Sequence, residues 1–185
     1  MGKRILEITP ELQNFIEEQS VFFVASAPLS ANGHVNISPK GLDTFRVIGP
    51  RQVAYLDLTG SGNETAAHVM ENERLTIMFC AFFGRPQIVR LYCRARVVVR
   101  GGQEWSSLIE RFPSHPGQRQ VIVGDVEFVQ TSCGYAVPEM KFVSPRETLT
   151  RWADAKGDEG LVEYRRMHNR MSIDALEAPV TDASE

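Results

Sequence analysis

From residue 21 onward the chain alternates short apolar runs with polar breaks at the spacing of strands. Val21-Phe22-Phe23-Val24-Ala25-Ser26-Ala27 predicts a buried strand, and Ala31-Asn32-Gly33 predicts a turn. In the next strand Val35 and Ile37 are expected to point inward, with Asn36 and Ser38 on the opposite face. A strand over Phe45-Arg46-Val47-Ile48 turns at Gly49-Pro50 and returns from Val53 to Leu58. Leu75 to Phe82 and the long run Ile88 to Arg100 are separated by Gly84-Arg85-Pro86, and Gly101-Gly102 ends the long run. Val121 to Thr131 predicts the last strand. Helical spacing appears between these runs. Thr9-Pro10-Glu11 reads as a helix start with Thr as N-cap and Pro at the first position, followed by Leu12, Phe15 and Ile16 on one face. A second helix is expected from Gly62 to about Glu71, and a third carries Trp105, Leu108, Ile109 and Phe112. Short helices are expected from Ser144, behind a capping box with Glu147, and from about Asp158. Trp152 is expected to pack with Leu149.

Strands joined by tight turns favour antiparallel pairing. The order of elements therefore predicts an α+β, mainly β fold. It is a barrel of about six mostly antiparallel strands with short peripheral helices. One domain is expected over residues 1–177, with a disordered tail at 178–185. Gly60-Ser61-Gly62 lacks a third glycine and any βαβ surroundings, so it does not read as a Rossmann fingerprint.

The 185 residues are enough for one sizeable core, and 43% hydrophobic with 23% charged residues is ordinary for a globular chain. A net charge of −3 argues against a general nucleic-acid binder. Cys80, Cys93 and Cys133 are far apart, form no Cys-x-x-Cys pair and are odd in number. With no signal peptide in view, they fit a reducing cytoplasm. The apolar run Val21 to Leu29 is too short to span a membrane, so no membrane partner is expected.

The candidate chemistry sits in two segments. One is His34-Val35-Asn36-Ile37-Ser38-Pro39-Lys40-Gly41; the other is Tyr55-Leu56-Asp57-Leu58-Thr59-Gly60-Ser61-Gly62-Asn63-Glu64-Thr65. The second runs from a strand through a Gly/Ser/Asn loop into a helix. Helix starts expose unpaired N–H groups, which suit a phosphate, and Lys40 beside them completes a cradle. Ser61 and Asn63 could equally cap the helix, since both roles use the same donors. In the long strand Val89, Leu91, Cys93, Ala95, Val97 and Val99 share one face, and Arg90, Arg94, Arg96 and Arg100 lie on the other. Asp125 and Glu127 are expected to neutralise part of that basic face across strands. Glu64 and His68, one turn apart with no further ligand, read as a solvated pair, so no metal site is expected. His34, His115 and His168 are isolated, Cys133 reads as a buried small hydrophobe, and no catalytic residue can be named.

Together these segments resemble the pyridoxamine 5'-phosphate oxidase-related flavoproteins, the FMN-binding split β-barrel family. Asn72-Glu73-Arg74-Leu75-Thr76, Val89-Arg90-Leu91-Tyr92 and Gln130-Thr131-Ser132-Cys133-Gly134-Tyr135 extend the resemblance over roughly residues 10–135. The resemblance implies a split β-barrel homodimer with FMN in a groove shared between subunits. It implies cofactor-binding roles for Asn36, Ser38, Lys40, Gly41, Ser61, Gly62 and Asn63, with Arg90, Cys133 and Gly134 contributing from the partner subunit. Two features depart from the vitamin oxidases. Asn63-Glu64-Thr65 stands where those enzymes have Ser-Arg-Lys, and Arg166-Met167-His168-Asn169-Arg170 matches their terminal arginine motif only superficially. The expected function is an FMN-dependent oxidoreductase acting on an unknown small molecule or electron acceptor. The alternatives are a non-catalytic flavin or haem binding or sensing module of the same fold and, more weakly, nucleic-acid binding by the arginine strand.

Overall fold

The computed structural model describes residues 2–179. The strands are β1 (Lys3–Ile5), β2 (Phe22–Ser26), β3 (Asn36–Lys40), β4 (Phe45–Gly49), β5 (Gln52–Leu58), β6 (Arg74–Cys80), β7 (Ile88–Val99) and β8 (Gln118–Ser132). The helices are α1 (Pro10–Glu17), α2 (Glu64–Asn72), α3 (Trp105–Ile109) and α4 (Thr148–His168). The sheet therefore has eight strands rather than about six; the one with no counterpart among the expected runs is the short β1, which joins the edge of β8. Every strand pair is antiparallel, in the order β3-β2-β6-β7-β8-β5-β4.

β8 is the spine. One of its edges pairs with β7 along its length, Val99↔Gln120 to Ile88↔Ser132. The other edge is divided between β5, down to Gln52↔Asp125, and β1, from Ile5↔Val129. The two ends of the strand path then curl toward each other. Four strands lie between β3 and β5 in the sheet order, yet Lys40 Nζ on β3 sits 2.7 Å from Asp57 Oδ1 on β5. Phe22 on β2 and Phe45 on β4 pack as tilted rings with centroids 5.1 Å apart. The result is a barrel closed by side chains along a seam where backbone pairing is missing, a split β-barrel.

Its interior holds one large apolar cluster that includes Phe22, Val24, Tyr55, Ile77, Phe79 and Leu91. A second cluster, around Leu56, Val98, Leu108, Phe112 and Val121, packs α3 against the outside of β5, β7 and β8. β7 buries Val89, Leu91, Cys93 and Ala95 as its alternation requires; further along, Val98 is buried instead, in the outer cluster. The basic face is neutralised as expected: Arg94 lies 3.5 Å from Glu127, and Arg96 lies 3.6 Å from Asp125 and 2.6 Å from Glu104. In α1, Thr9 caps the helix by accepting from the Leu12 amide at 3.4 Å, with Pro10 at its first turn.

Several local expectations are corrected. Val35 and Ile37 face outward, 70% and 66% exposed, because the polar side of β3 turns to the seam. The C-terminal helix starts at Thr148 with no side-chain cap, so the Ser144–Glu147 capping box does not form, and Glu147 instead pairs with Arg151 at 2.7 Å. The break near Asp158 is Gly157, whose φ of 64° kinks α4 and folds Tyr164 back onto Trp152 with ring centroids 4.9 Å apart. Ala178 donates to the Arg170 carbonyl at 2.8 Å, and Pro179 accepts from Asn63 at 3.3 Å. The rest of the expected tail, 180–185, lies outside the described residues. Among the described residues no helix is long and apolar enough to cross a membrane.

Candidate functional site

The seam opens into a cleft of about 420 Å³ between β3, the end of β5 and the start of α2. The alternation of β3 aims Asn36, Ser38 and Lys40 into it, and the turn from β5 into α2 brings Ser61, Gly62 and Asn63 to the same wall. These six expected residues are thus gathered in one place. The other four are not. The Gly41 carbonyl accepts from Thr44 Oγ1 at 2.7 Å, behind the wall. Arg90 donates to Ser132 Oγ at 3.1 Å, Cys133 is exposed and Gly134 packs against the Gln87 backbone. Within a single chain those residues stand apart from the cleft.

At the back of the cleft is a buried charge cluster that the sequence reading did not find. Asp57 is 4% exposed, and both of its carboxylate oxygens are hydrogen-bonded. Oδ1 accepts from Lys40 at 2.7 Å; Oδ2 accepts from Arg119 at 2.6 and 3.2 Å and from Gln120 at 2.8 Å. Burial works against the carboxylate's charge, but the Arg119 guanidinium and then the Lys40 ammonium outweigh it and hold its pKa well below the usual carboxylate range. Next to it, Tyr55 is fully buried and its hydroxyl has no hydrogen-bond partner of good geometry. Burial, with Asp57 nearby, pushes that phenol well above its ordinary value. Neither group exchanges a proton near neutral pH.

Asn63 is a strut rather than an open ligand. It is 3% exposed, its Oδ1 accepts from Gln120 at 2.8 Å and its Nδ2 donates to the Asn169 carbonyl at 3.2 Å. It stands at the N-cap of α2 without making a side-chain cap bond, which leaves the first-turn amides of the helix without a side-chain cap beside the cleft. Lys40 uses one of its three donors on Asp57, and its ammonium lies 5.4 Å from the Tyr55 ring centroid. Asn36 donates to Thr65 Oγ1 at 3.1 Å, bridging β3 to α2, and accepts from Ser38 Oγ at 3.2 Å. Both Glu64 oxygens accept from the Ile173 amide, at 3.1 and 3.2 Å, so the C-terminal segment closes one side of the mouth.

Asn169, within the segment that resembled a terminal arginine motif, is fully buried against the loop, while Arg166 and Arg170 point to solvent. His68 is not solvated: it is fully buried, with Nδ1 3.0 Å from Ser26 Oγ and Nε2 unpaired. His34 pairs with Asp174 at 2.7 Å. His115 lies 3.0 Å from Thr150 Oγ1, and burial lowers its pKa. Among the described residues no group of three or more His, Cys, Asp or Glu side chains could hold a metal.

Comparison with known proteins places the chain in a family. The family model described as pyridoxamine 5'-phosphate oxidase matches residues 8–133, from α1 to the end of β8. The pyridoxamine 5'-phosphate oxidase family protein ustO of Aspergillus flavus is 37% identical over 186 residues, covering 91% of this chain and 74% of that protein. Among solved structures, a point variant of tagged HupZ from Group A Streptococcus superposes with a TM-score of 0.52 at 22% identity, over 68% of this chain and 99% of that one. Unsubstituted HupZ gives 0.50 at 22% identity, over 66% and 91%. These last two matches show a shared fold.

Proposed function

The chain belongs to the pyridoxamine 5'-phosphate oxidase family, and on that premise we propose that its seam cleft binds FMN and serves an oxidoreductase acting on a small molecule. The observation that carries this reading is Lys40, held beside the start of α2 with two donors still available, at the edge of a cleft of about 420 Å³. A phosphate fits that corner. It would take the Lys40 ammonium, the Ser61 hydroxyl and the first-turn amides of α2, whose dipole favours an anion. The Asn36–Ser38–Thr65 hydrogen-bond chain, further along β3, offers polar groups to a ring edge.

When bound, FMN would supply hydride transfer at its isoalloxazine ring; the protein would bind, orient and shield it. Asp57 and Tyr55 are locked in single protonation states, so the site reads as one that positions reactants rather than one that relays protons. Arg90, Cys133 and Gly134 would complete the groove from a second copy of the chain. Outward-facing Val35 and Ile37 support such a homodimer, since an exposed apolar pair on an edge strand favours a covering surface.

The test is the visible spectrum of the purified protein after incubation with FMN and removal of excess, followed by reduction with NADH or NADPH and reoxidation by candidate acceptors. Flavin bands that bleach and recover with turnover support the reading. A protein that takes up no flavin, or that shows a Soret band with haem instead, refutes it.

A further inference from the structure

We propose that Arg119 is a positioning residue for phosphate recognition, holding both Lys40 and the 60–63 loop in place from behind without serving as a main ligand itself. The inference rests on the FMN reading of the cleft. It starts from an irregularity in the sheet. The β5–β8 register runs Asp57↔Gln120 and then Leu58↔Gln118, which leaves Arg119 as the extra residue of a bulge. Neighbouring strand residues normally point to opposite faces. Here the bulge lets Arg119 and Gln120 both reach Asp57 Oδ2.

The guanidinium then spans three segments of the chain. Nε and Nη2 grip Asp57 at 3.2 and 2.6 Å; Nη1 donates to the Gly62 carbonyl at 3.0 Å and to Asn169 Oδ1 at 2.8 Å. Four of its five N–H donors are therefore committed inside the protein, and the residue is 8% exposed. Asn169 extends the grip, donating to the Gly60 carbonyl at 3.0 Å. In a trans peptide the carbonyl and the following N–H point in opposite directions. With the Gly60 and Gly62 carbonyls tied inward, the Ser61 and Asn63 amides are turned away from the buried cluster. Through Asp57, the same guanidinium fixes the carboxylate that locates the Lys40 ammonium. One buried fork thus sets the direction of the loop amides and the position of the cation.

A lysine at position 119 would keep the charge but not the planar fork, and so could not hold the three anchors together. The experiment titrates apo-protein with FMN and with riboflavin, following flavin fluorescence, for the wild type, Arg119→Lys and Asn169→Ala. In Arg119→Lys the FMN dissociation constant should rise by about tenfold or more, the scale of one lost charge-assisted hydrogen bond. The riboflavin constant should stay within about twofold, so that phosphate discrimination collapses. Asn169→Ala keeps the Asp57–Arg119 pair and should lose part of the discrimination; if Arg119→Lys does not fold, this variant decides alone. Equal weakening of both flavins, or an unchanged ratio with a lowered melting temperature, would make Arg119 merely structural and overturn the proposal. A wild type that binds both flavins equally would overturn the FMN reading itself and this inference with it. A discriminating wild type with discriminating variants would overturn only the inference.

Discussion

Replacing Lys40 with alanine separates phosphate binding from folding. In the folded chain Asp57 would lose one of its partners but keep two bonds from Arg119 and one from Gln120, so no buried charge is orphaned. Because Asp57 keeps Arg119 as its counter-ion and Lys40 is not fully buried, losing this one bond should cost only about 1 kcal/mol of stability. The variant should therefore fold. Binding should suffer more. The phosphate would forgo a charge-assisted hydrogen bond of about 1.5–3 kcal/mol, which is about 10- to 150-fold in the FMN dissociation constant. The charges lining the cleft reinforce that loss. Lys40 and Arg119 balance Asp57 and Glu64 in the wild type, and without Lys40 the lining carries an excess negative charge. The deficit should thus be largest at low ionic strength. The assay is flavin fluorescence titration with FMN and riboflavin at low and high salt, beside urea unfolding of the same samples. If Lys40→Ala weakened riboflavin as much as FMN, or left FMN affinity unchanged, Lys40 would not be the phosphate ligand and the argument would fail.

Three further outcomes are expected. Asp57→Asn leaves Arg119 buried without its counter-ion and should cost about 3–5 kcal/mol at pH 7. Because the native Asp57 pKa is depressed, its contribution is present above the unfolded value of about 3.9 and is lost as pH falls. The gap between wild type and variant in urea unfolding should thus narrow below about pH 4, and a gap that stayed constant would contradict the assignment. Pyridoxamine 5'-phosphate should be oxidised slowly or not at all by FMN-loaded protein, since Glu64 and Thr65 offer no cation to a second phosphate. A coupled assay showing turnover near the median enzyme rate of about 10 per second would refute that. Sedimentation should give a dimer when flavin is bound, and a stable flavin-loaded monomer would refute the shared groove.

The strands were legible because their alternation is clean and their turns carry Gly, Pro or Asn. The gathering of Lys40 with the 60–63 loop was legible for a similar reason, since helix starts and Gly-rich turns advertise exposed amides. The charge cluster behind them was not. Asp57 occupies a strand position flanked by Leu56 and Leu58, and its burial follows only from β8 pairing on one side and the seam on the other. A charged residue in an otherwise apolar strand is a signal that a partner must exist, but it does not say which. Arg119 fell just outside the strand expected from Val121, and the bulge that aims it leaves no mark in the pattern of apolar residues. Val35 and Ile37 misled for the opposite reason: alternation shows that two faces differ, not which one meets the core. Asn169 lies 106 residues from Asn63, beyond the reach of any local pattern.

The central place of β8 also bears on how the chain reaches its native state. This strand makes the backbone pairs of β1, β5 and β7, so none of those three has its full complement of partners until residues 118–132 exist. During synthesis the first 117 residues can form the β2–β3 and β4–β5 hairpins and the β6–β7 pair, but the barrel wall waits for the last strand. The cleft waits longer still, because Asn169 and Ile173 close it. A topology with such long-range pairing belongs with the slower folders, on the millisecond-to-second scale. A chain cut short before residue 118 would present unpaired strand edges to its surroundings, a nascent form suited to chaperone capture.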